Sequence, residues 1–457
     1  MKKFLMTALL ALLTMGASAQ LAPQKDTLCI TTSYGMKYKY AVEGMSILGD
    51  NDSEFLNFWY YDNDGMYTYQ HLNRTSISSI RFFNRYSNPL ALLQGPREGA
   101  YEGLFYTSEN PCGMFNFISC LASDEMLGGG GYNDSFGAFD MLSDAGNSMN
   151  VAWNAYYSAI ENTNTVLERI GFLPMRVSAT ERDYTRGEAL FLRAFYYYQL
   201  ASLFGNVPVI TDNQSWQQKL SPTSSADVWG RILLDLKEAI VLMDGYSPTL
   251  TIDDSRVGKY AAEALLARAY LFYTGFHLGV HNIAAQEASV SMPDGSSLTK
   301  ADVISYVDDC VKNSGFELVG DFRNLWPYTN RLTCEDYSYT AGRGLKWVED
   351  DGAVNPEVLF KIKYNKNASW GTTTGYSNQS ALYFGYRYDG YSSTFPFGRG
   401  WGAGTVSPGL YDEWKEAEPQ DVRRDASIQD VMQLPNYSFG GVWNDFMQET
   451  MYHEKKN

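Results

Sequence analysis

Between residues 150 and 275 the chain runs in helical stripes separated by short polar links. From Trp153 onward, apolar or aromatic side chains recur at Tyr156, Ile160, Val166 and Ile170. That spacing predicts a helix with one buried stripe, capped at Asn150 and stopped at Gly171. Residues 188–204 predict a second helix, ended by Gly205 and Pro208. The pattern then recurs. Trp229 opens a third stripe that stops near Gly245, and Glu263 opens a fourth. The two Trp positions lie 76 residues apart and the two Glu positions 75 apart. Glu188, Ala189, Leu190, Arg193 and Ala194 match Glu263, Ala264, Leu265, Arg268 and Ala269. From each Trp to its Glu the distances are 35 and 34 residues, which is the tetratricopeptide period without its full consensus.

A helical hairpin of this kind has an apolar face that it cannot bury alone. Stacking buries it, and the small residues Ala189, Ala194, Ala201, Ala264 and Ala269 permit close approach. An earlier stretch, 96–127, broken at Asn110-Pro111, and a later one, 301–313, extend the stack. Arg193 and Arg268 sit five residues after a Glu, off its helix face, so their expected role is structural, with a partner on a neighbouring helix.

The flanks break the pattern. Residues 1–19 join Lys2 and Lys3 to an apolar run and a small-residue ending, Gly16-Ala17-Ser18-Ala19, which reads as a secretory leader. Residues 20–90 form an N-terminal extension expected to be mostly irregular. Rings crowd there around a turn at Asp62-Asn63-Asp64-Gly65, which lacks the spacing of a calcium loop. Residues 91–314 are the helical scaffold. Residues 315–457 are loop-rich and aromatic, with a strand predicted over 357–364. The fold class is therefore mainly α: tetratricopeptide-like pairs with a loop-rich part containing short β elements.

Composition narrows the chemistry. The net charge of −16 argues against a nucleic-acid or anionic-membrane binder. After the leader, no run of about 18 apolar residues is long enough to span a bilayer. Five cysteines without CxxC and four histidines without HExxH offer no zinc site, and no cofactor is implied. The glycines 128–131 lack a Lys-Ser/Thr ending and make no phosphate loop. The chain carries 34 Tyr, 24 Phe and 10 Trp, and so many tyrosines predict a large surface where rings meet water or a ligand.

Four passages resemble the SusD/RagB family of Bacteroidetes outer-membrane nutrient-binding proteins. They are Ala122-Ser123-Asp124-Glu125-Met126, then Trp153 with Ile160, Asn162 and Asn164, then Arg186-Gly187-Glu188-Ala189-Leu190 through Phe204-Gly205-Asn206-Val207-Pro208, and Ala261-Ala262-Glu263-Ala264-Leu265. The resemblance implies tetratricopeptide-like pairs cradling a loop-rich ligand site. It implies an exported, non-catalytic protein at the outer face of the outer membrane. Such a protein hands oligosaccharide to a SusC-like TonB-dependent transporter. Three departures stand out. Asp26-Thr27-Leu28-Cys29 lacks the small residues of a lipobox. The extension before residue 91 is long. The family's late Arg-Tyr-Ala-Glu helix is not found before Asn457.

Trp and Tyr suit the apolar face of a sugar ring and bind it at low entropy cost. The candidate ligand residues are Trp370, Tyr376, Tyr383, Tyr386, Tyr388 and Trp401, chosen on composition and loop placement. A second set is Trp59, Tyr61 and Tyr67. Two alternatives stay open: a protein- or peptide-binding component of the same kind of uptake complex, and a glycoside hydrolase. With 52 acidic residues a carboxylate pair can always be found, so the sequence carries no signal for hydrolysis.

Overall fold

The structure is a computed structural model. It describes residues 27–41, 46–47, 54–61, 66–83, 91–109, 123, 126–129, 148–173, 177–213, 220–244, 256–277, 289–362, 403–431 and 452–454. The chain divides into two compact units, one holding residues 1–94 and 173–177, the other the remainder.

Six strands build the described part of the first unit: β1 (Thr27–Thr32), β2 (Lys37–Ala41), β3 (Ser46–Ile47), β4 (Phe55–Tyr61), β5 (Tyr67–Asn73) and β6 (Ile77–Phe83). They form two three-stranded sheets, ordered β2-β1-β6 and β3-β4-β5. The inner faces meet through Ile30, Tyr40, Leu56 and Phe58, all buried. Tyr40 packs edge-on against Phe58 at 5.2 Å and Tyr60 at 5.0 Å. This differs from the irregular extension expected for 20–90. The reason lies in β4, FLNFWYY, which carries rings on both faces. Two-residue alternation of polar with apolar is thereby blurred, although alternation of direction remains.

The second unit is mainly helical. Its helices are α1 (Ala91–Glu109, from Gly95 onward), α2 (Ser148–Arg169), α3 (Ala179–Phe204), α4 (Ser225–Met243), α5 (Lys259–Phe272) and α6 (Lys300–Asn313). From α2 to α6 each helix packs on the next in chain order, the arrangement of stacked helical pairs. The helix α3 lies at the centre and is buried along most of its length. Trp229 of α4 is wholly buried and meets Tyr198 of α3 edge-on at 5.7 Å. At Gly103 an added Cβ would lie 2.3 Å from Ala159 Cβ, so α1 and α2 approach as closely as a missing side chain allows.

Three helices begin before their apolar stripes. Ser178 caps α3 by accepting from Glu181 N at 3.1 Å, ten residues before Glu188. Ser224 caps α4 in the same way through Asp227 N. Thr299 and Asp302 form a reciprocal capping box on α6. Solvated first turns carry no apolar period, so only the cap residues announce them.

The strand expected over 357–364 is absent where described: residues 355–362 are turn and loop. Their apolar side chains serve another end. Leu359, Phe360 and Ile362 pack on the helical core, with Phe360 edge-on to Phe191 at 5.5 Å. A four-stranded sheet, ordered β9-β10-β8-β7, gathers β7 (Met126–Gly129), β8 (Ala403–Val406), β9 (Ile428–Asp430) and β10 (Tyr452–Glu454). Beside it Tyr411 stacks on Tyr452 at 4.1 Å. Among the described residues no helix is long and apolar enough to cross a membrane. The leader region 1–19 lies outside the described residues.

Candidate functional site: a ladder of rings on the first unit

The pairing of β4 with β5 sets Trp59 opposite Tyr69, Tyr61 opposite Tyr67, Asn57 opposite His71 and Phe55 opposite Asn73. Side chains alternate along a strand, so these positions share the face opposite to Leu56 and Phe58. The inner face is buried in the sandwich. The outer face stays open, with Tyr67 44% and Tyr69 41% exposed.

The rings on this face are in mutual contact. Phe55 stacks on His71 at 4.0 Å, and His71 on Tyr69 at 6.4 Å. Trp59 lies 5.2 Å from Tyr69, tilted, and stacks on Tyr67 at 5.4 Å with 16° between planes. The result is a continuous ladder along a hairpin of two seven-residue strands, a length of about 20 Å. His71 Nδ1 lies 2.6 Å from Asn57 Oδ1. This hydrogen bond between the two side chains ties the paired strands on the ladder face. Stacking against neighbours holds each ring in place before any ligand arrives. A flat apolar strip with Asn, His and phenol groups along it offers stacking and hydrogen bonding together. Among the described residues of this face there is no pair of carboxylates.

The second set is thus partly assembled. Trp59 and Tyr67 stack on each other, and Tyr61 holds a strand position opposite Tyr67. Phe55, Tyr69 and His71 also belong to the ladder, although the sequence reading passed over them. Their signal was the odd-numbered alternation 55, 57, 59 and 67, 69, 71, legible only once the two segments are paired. Trp370, Tyr376, Tyr383, Tyr386, Tyr388 and Trp401 all lie outside the described residues.

In the second unit the matched buried acids of the helical pairs are occupied structurally. Glu188 accepts from Arg97, Tyr101 and Arg256, the last through both carboxylate oxygens at 2.8 Å. Glu263 meets Lys259 and Asp309.

Comparison with known proteins finds relatives of the chain. A SusD-like family model, described as starch-binding associating with outer membrane, matches residues 119–271. A SusD-like protein of Bacteroides ovatus is 27% identical over 182 residues, 39% of this chain and 30% of that one. SusD-like protein P2 of Formosa agariphila is 26% identical over 291 residues, 63% of this chain and 46% of that one. The chain therefore spans less than half the length of these two relatives. Among solved structures, a laminarin-binding SusD-like protein superposes with a TM-score of 0.54 at 20% identity, covering 79% of this chain and 71% of that one. Surface glycan-binding protein A from Bacteroides fluxus gives 0.55 at 20% identity, covering 79% and 67%. At such identities the likeness establishes the fold.

Proposed function

The chain is SusD-like in its helical scaffold and in its fold, and from that premise we propose that it captures oligosaccharide without cleaving it. In this reading it works at the outer face of the outer membrane and passes its ligand to a SusC-like TonB-dependent transporter. The observation that carries the binding step is the ring ladder of Phe55, His71, Tyr69, Trp59 and Tyr67 on an exposed sheet face. The names of the fold neighbours support the ligand class: one binds laminarin, and a surface glycan-binding protein A from Bacteroides thetaiotaomicron was solved with laminarihexaose (TM-score 0.52, 18% identity, covering 74% of this chain and 63% of that one).

Capture proceeds by equilibrium. The apolar C–H face of a pyranose covers part of a ring, and Asn57 and the phenols stand beside it to meet hydroxyls that lose water. No bond breaks, so no acid or base is required. Modest affinity, about micromolar to millimolar, lets the ligand leave for the transporter. The residues Trp370, Tyr376, Tyr383, Tyr386, Tyr388 and Trp401 are proposed as a second ring set on the same ligand class.

The test is a glycan-array screen followed by calorimetry of the full chain on each hit, with Trp59→Ala and Trp370→Ala alongside. Saturable binding without release of reducing ends supports capture. A loss of tenfold or more in Trp59→Ala, about 1.4 kcal/mol, assigns it to the ladder, and the same loss in Trp370→Ala assigns it to the later set. A blank across plant, host and microbial glycans overturns the proposal.

A further inference from the structure

A concave site lies in the helical unit. It is a cavity of about 380 Å³ between α2 and the side chains of Pro208, Ile210 and Leu220. Trp153, Tyr157, Pro208, Ile210 and Leu220 give it apolar walls, and Asn154, Ser158 and Glu161 give it a polar edge. The three polar residues recur at one-turn spacing along the exposed side of α2, so they form a column.

What happens farther along the same helix makes the column informative. Residues 207–213 run beside α2 and α3 and are tied to them repeatedly. Tyr157 donates to Pro208 O at 2.7 Å, Asn164 to Ile210 O at 3.1 Å, and Asn213 to Thr165 Oγ1 at 2.7 Å. Glu168 accepts from Asn213 N at 2.7 Å, and Tyr197 both donates to Ile210 O and accepts from Ile210 N. The polar side chains at 164, 165 and 168 are thus consumed in holding this segment. Those at 154, 158 and 161 make no side-chain hydrogen bond among the described residues. Where the lacing stops, the cavity begins. Its wall is rigid because buried groups hold it, and its polar edge is unspent.

From this we infer that the cavity is a binding site for a short neutral saccharide of one or two pyranose rings. The volume falls in the range of small-ligand pockets, about 300–1,000 Å³. Trp153 and Tyr157 supply ring surface, held 4.9 Å apart and backed by Phe204 edge-on to Trp153 at 5.1 Å. Asn154 offers a donor and an acceptor, Ser158 a hydroxyl that is both, and Glu161 a pure acceptor, a set matched to adjacent sugar hydroxyls. A lone anion has nothing cationic to meet among the lining residues. The site shares no residue with the ring ladder, so either assignment can fail without the other.

The experiment is saturation-transfer NMR on the full chain. The probes are methyl glucoside, galactoside, mannoside and xyloside, with laminaribiose, cellobiose and maltose. Ser158→Trp fills the cavity from an exposed helix position. Asn154→Ala with Glu161→Gln strips the edge without adding bulk, so one variant remains if the other does not fold, as judged by circular dichroism. Measured in a Trp59→Ala background, which removes the ladder's contribution, the expected result is transfer from at least one probe, abolished by Ser158→Trp and weakened at least tenfold by the double variant. No transfer from any probe overturns the assignment, as does transfer that survives both cavity variants.

Discussion

At the scale of single residues, buried charge decides more than exposed charge. Arg193 and Asp235 are almost wholly buried and bond at 2.7 and 2.9 Å, joining α3 to α4. Asn164 of α2 accepts from the same guanidinium at 2.9 Å, so three helices share one arginine. Burial alone would lower the Arg193 pKa, but Asp235 reverses that and holds it above its ordinary value. Arg193→Met should leave Asp235 with Arg231 as its remaining cation and Asn164 Oδ1 without its donor, and should cost about 1–3 kcal/mol, read as a shift in the urea midpoint with unchanged slope. Glu263 tells the opposite story. Burial first, then a hydrogen bond with Asp309, raises its pKa from 4.5 to about 8. Lys259 and Asn313, in turn, hold Asp309 down at about 2. The Glu263 carboxyl thus keeps its proton beside the Asp309 carboxylate through neutral pH. Between about pH 4.5 and 8 the folded state binds more protons here than the unfolded chain does. The stability from this site is full below that window and is lost as pH rises through it. Glu263→Gln keeps the shape and the donor and should flatten this part of the profile. A profile as steep as that of the parent chain would show that Glu263 does not titrate there.

At the scale of elements, matched positions in the two helical pairs acquire different duties. Arg193 is buried between helices, while its counterpart Arg268 is exposed and lies 5.9 Å over the Tyr198 ring. The helix α3 has neighbours on both sides, and the same register in α5 faces a groove lined by Leu271, Val307 and Val311. Caps are the cheaper contributions. Ser178→Ala removes the acceptor for Glu181 N and should cost about 1 kcal/mol. Gly103→Ala should cost more, because the new Cβ meets Ala159 Cβ, whose backbone cannot swing aside. Thermal unfolding of the two variants side by side checks the order. If Ser178→Ala proved the worse, the close approach of α1 to α2 would not be limiting.

At the scale of the whole molecule, net charge should act on ligand choice. A chain at −16 repels polyanions at distances up to the screening length, about 10 Å at 0.1 M salt. Neutral glucans should bind at low ionic strength, and uronate or sulfated glycans of equal length should not. Titrations at two salt concentrations test this. A polyanion whose affinity rises as salt is lowered would contradict it and point to a local basic surface.

The stacked pairs were legible because a helix repeats its buried side every 3.6 residues, and Trp153, Glu188, Trp229 and Glu263 stand in one period. Their order, their stops at glycine and proline, and the structural role of Arg193 follow from local pattern alone. The partners of Glu188 do not: Arg97 and Arg256 lie 91 and 68 residues away in the chain. The ring ladder was invisible for a related reason. A strand shows which residues share a face, but only pairing shows which faces meet, and Trp59 finds Tyr67 and Tyr69 through register. The sequence by itself determined the helical period, the excess of rings and the absence of metal or phosphate motifs. Tertiary structure alone decided which rings stack in the open and which polar groups remain unspent beside a cavity. Hydrophobic periodicity is a local property, whereas a binding surface is made by residues whose only connection is the packing that brings them together.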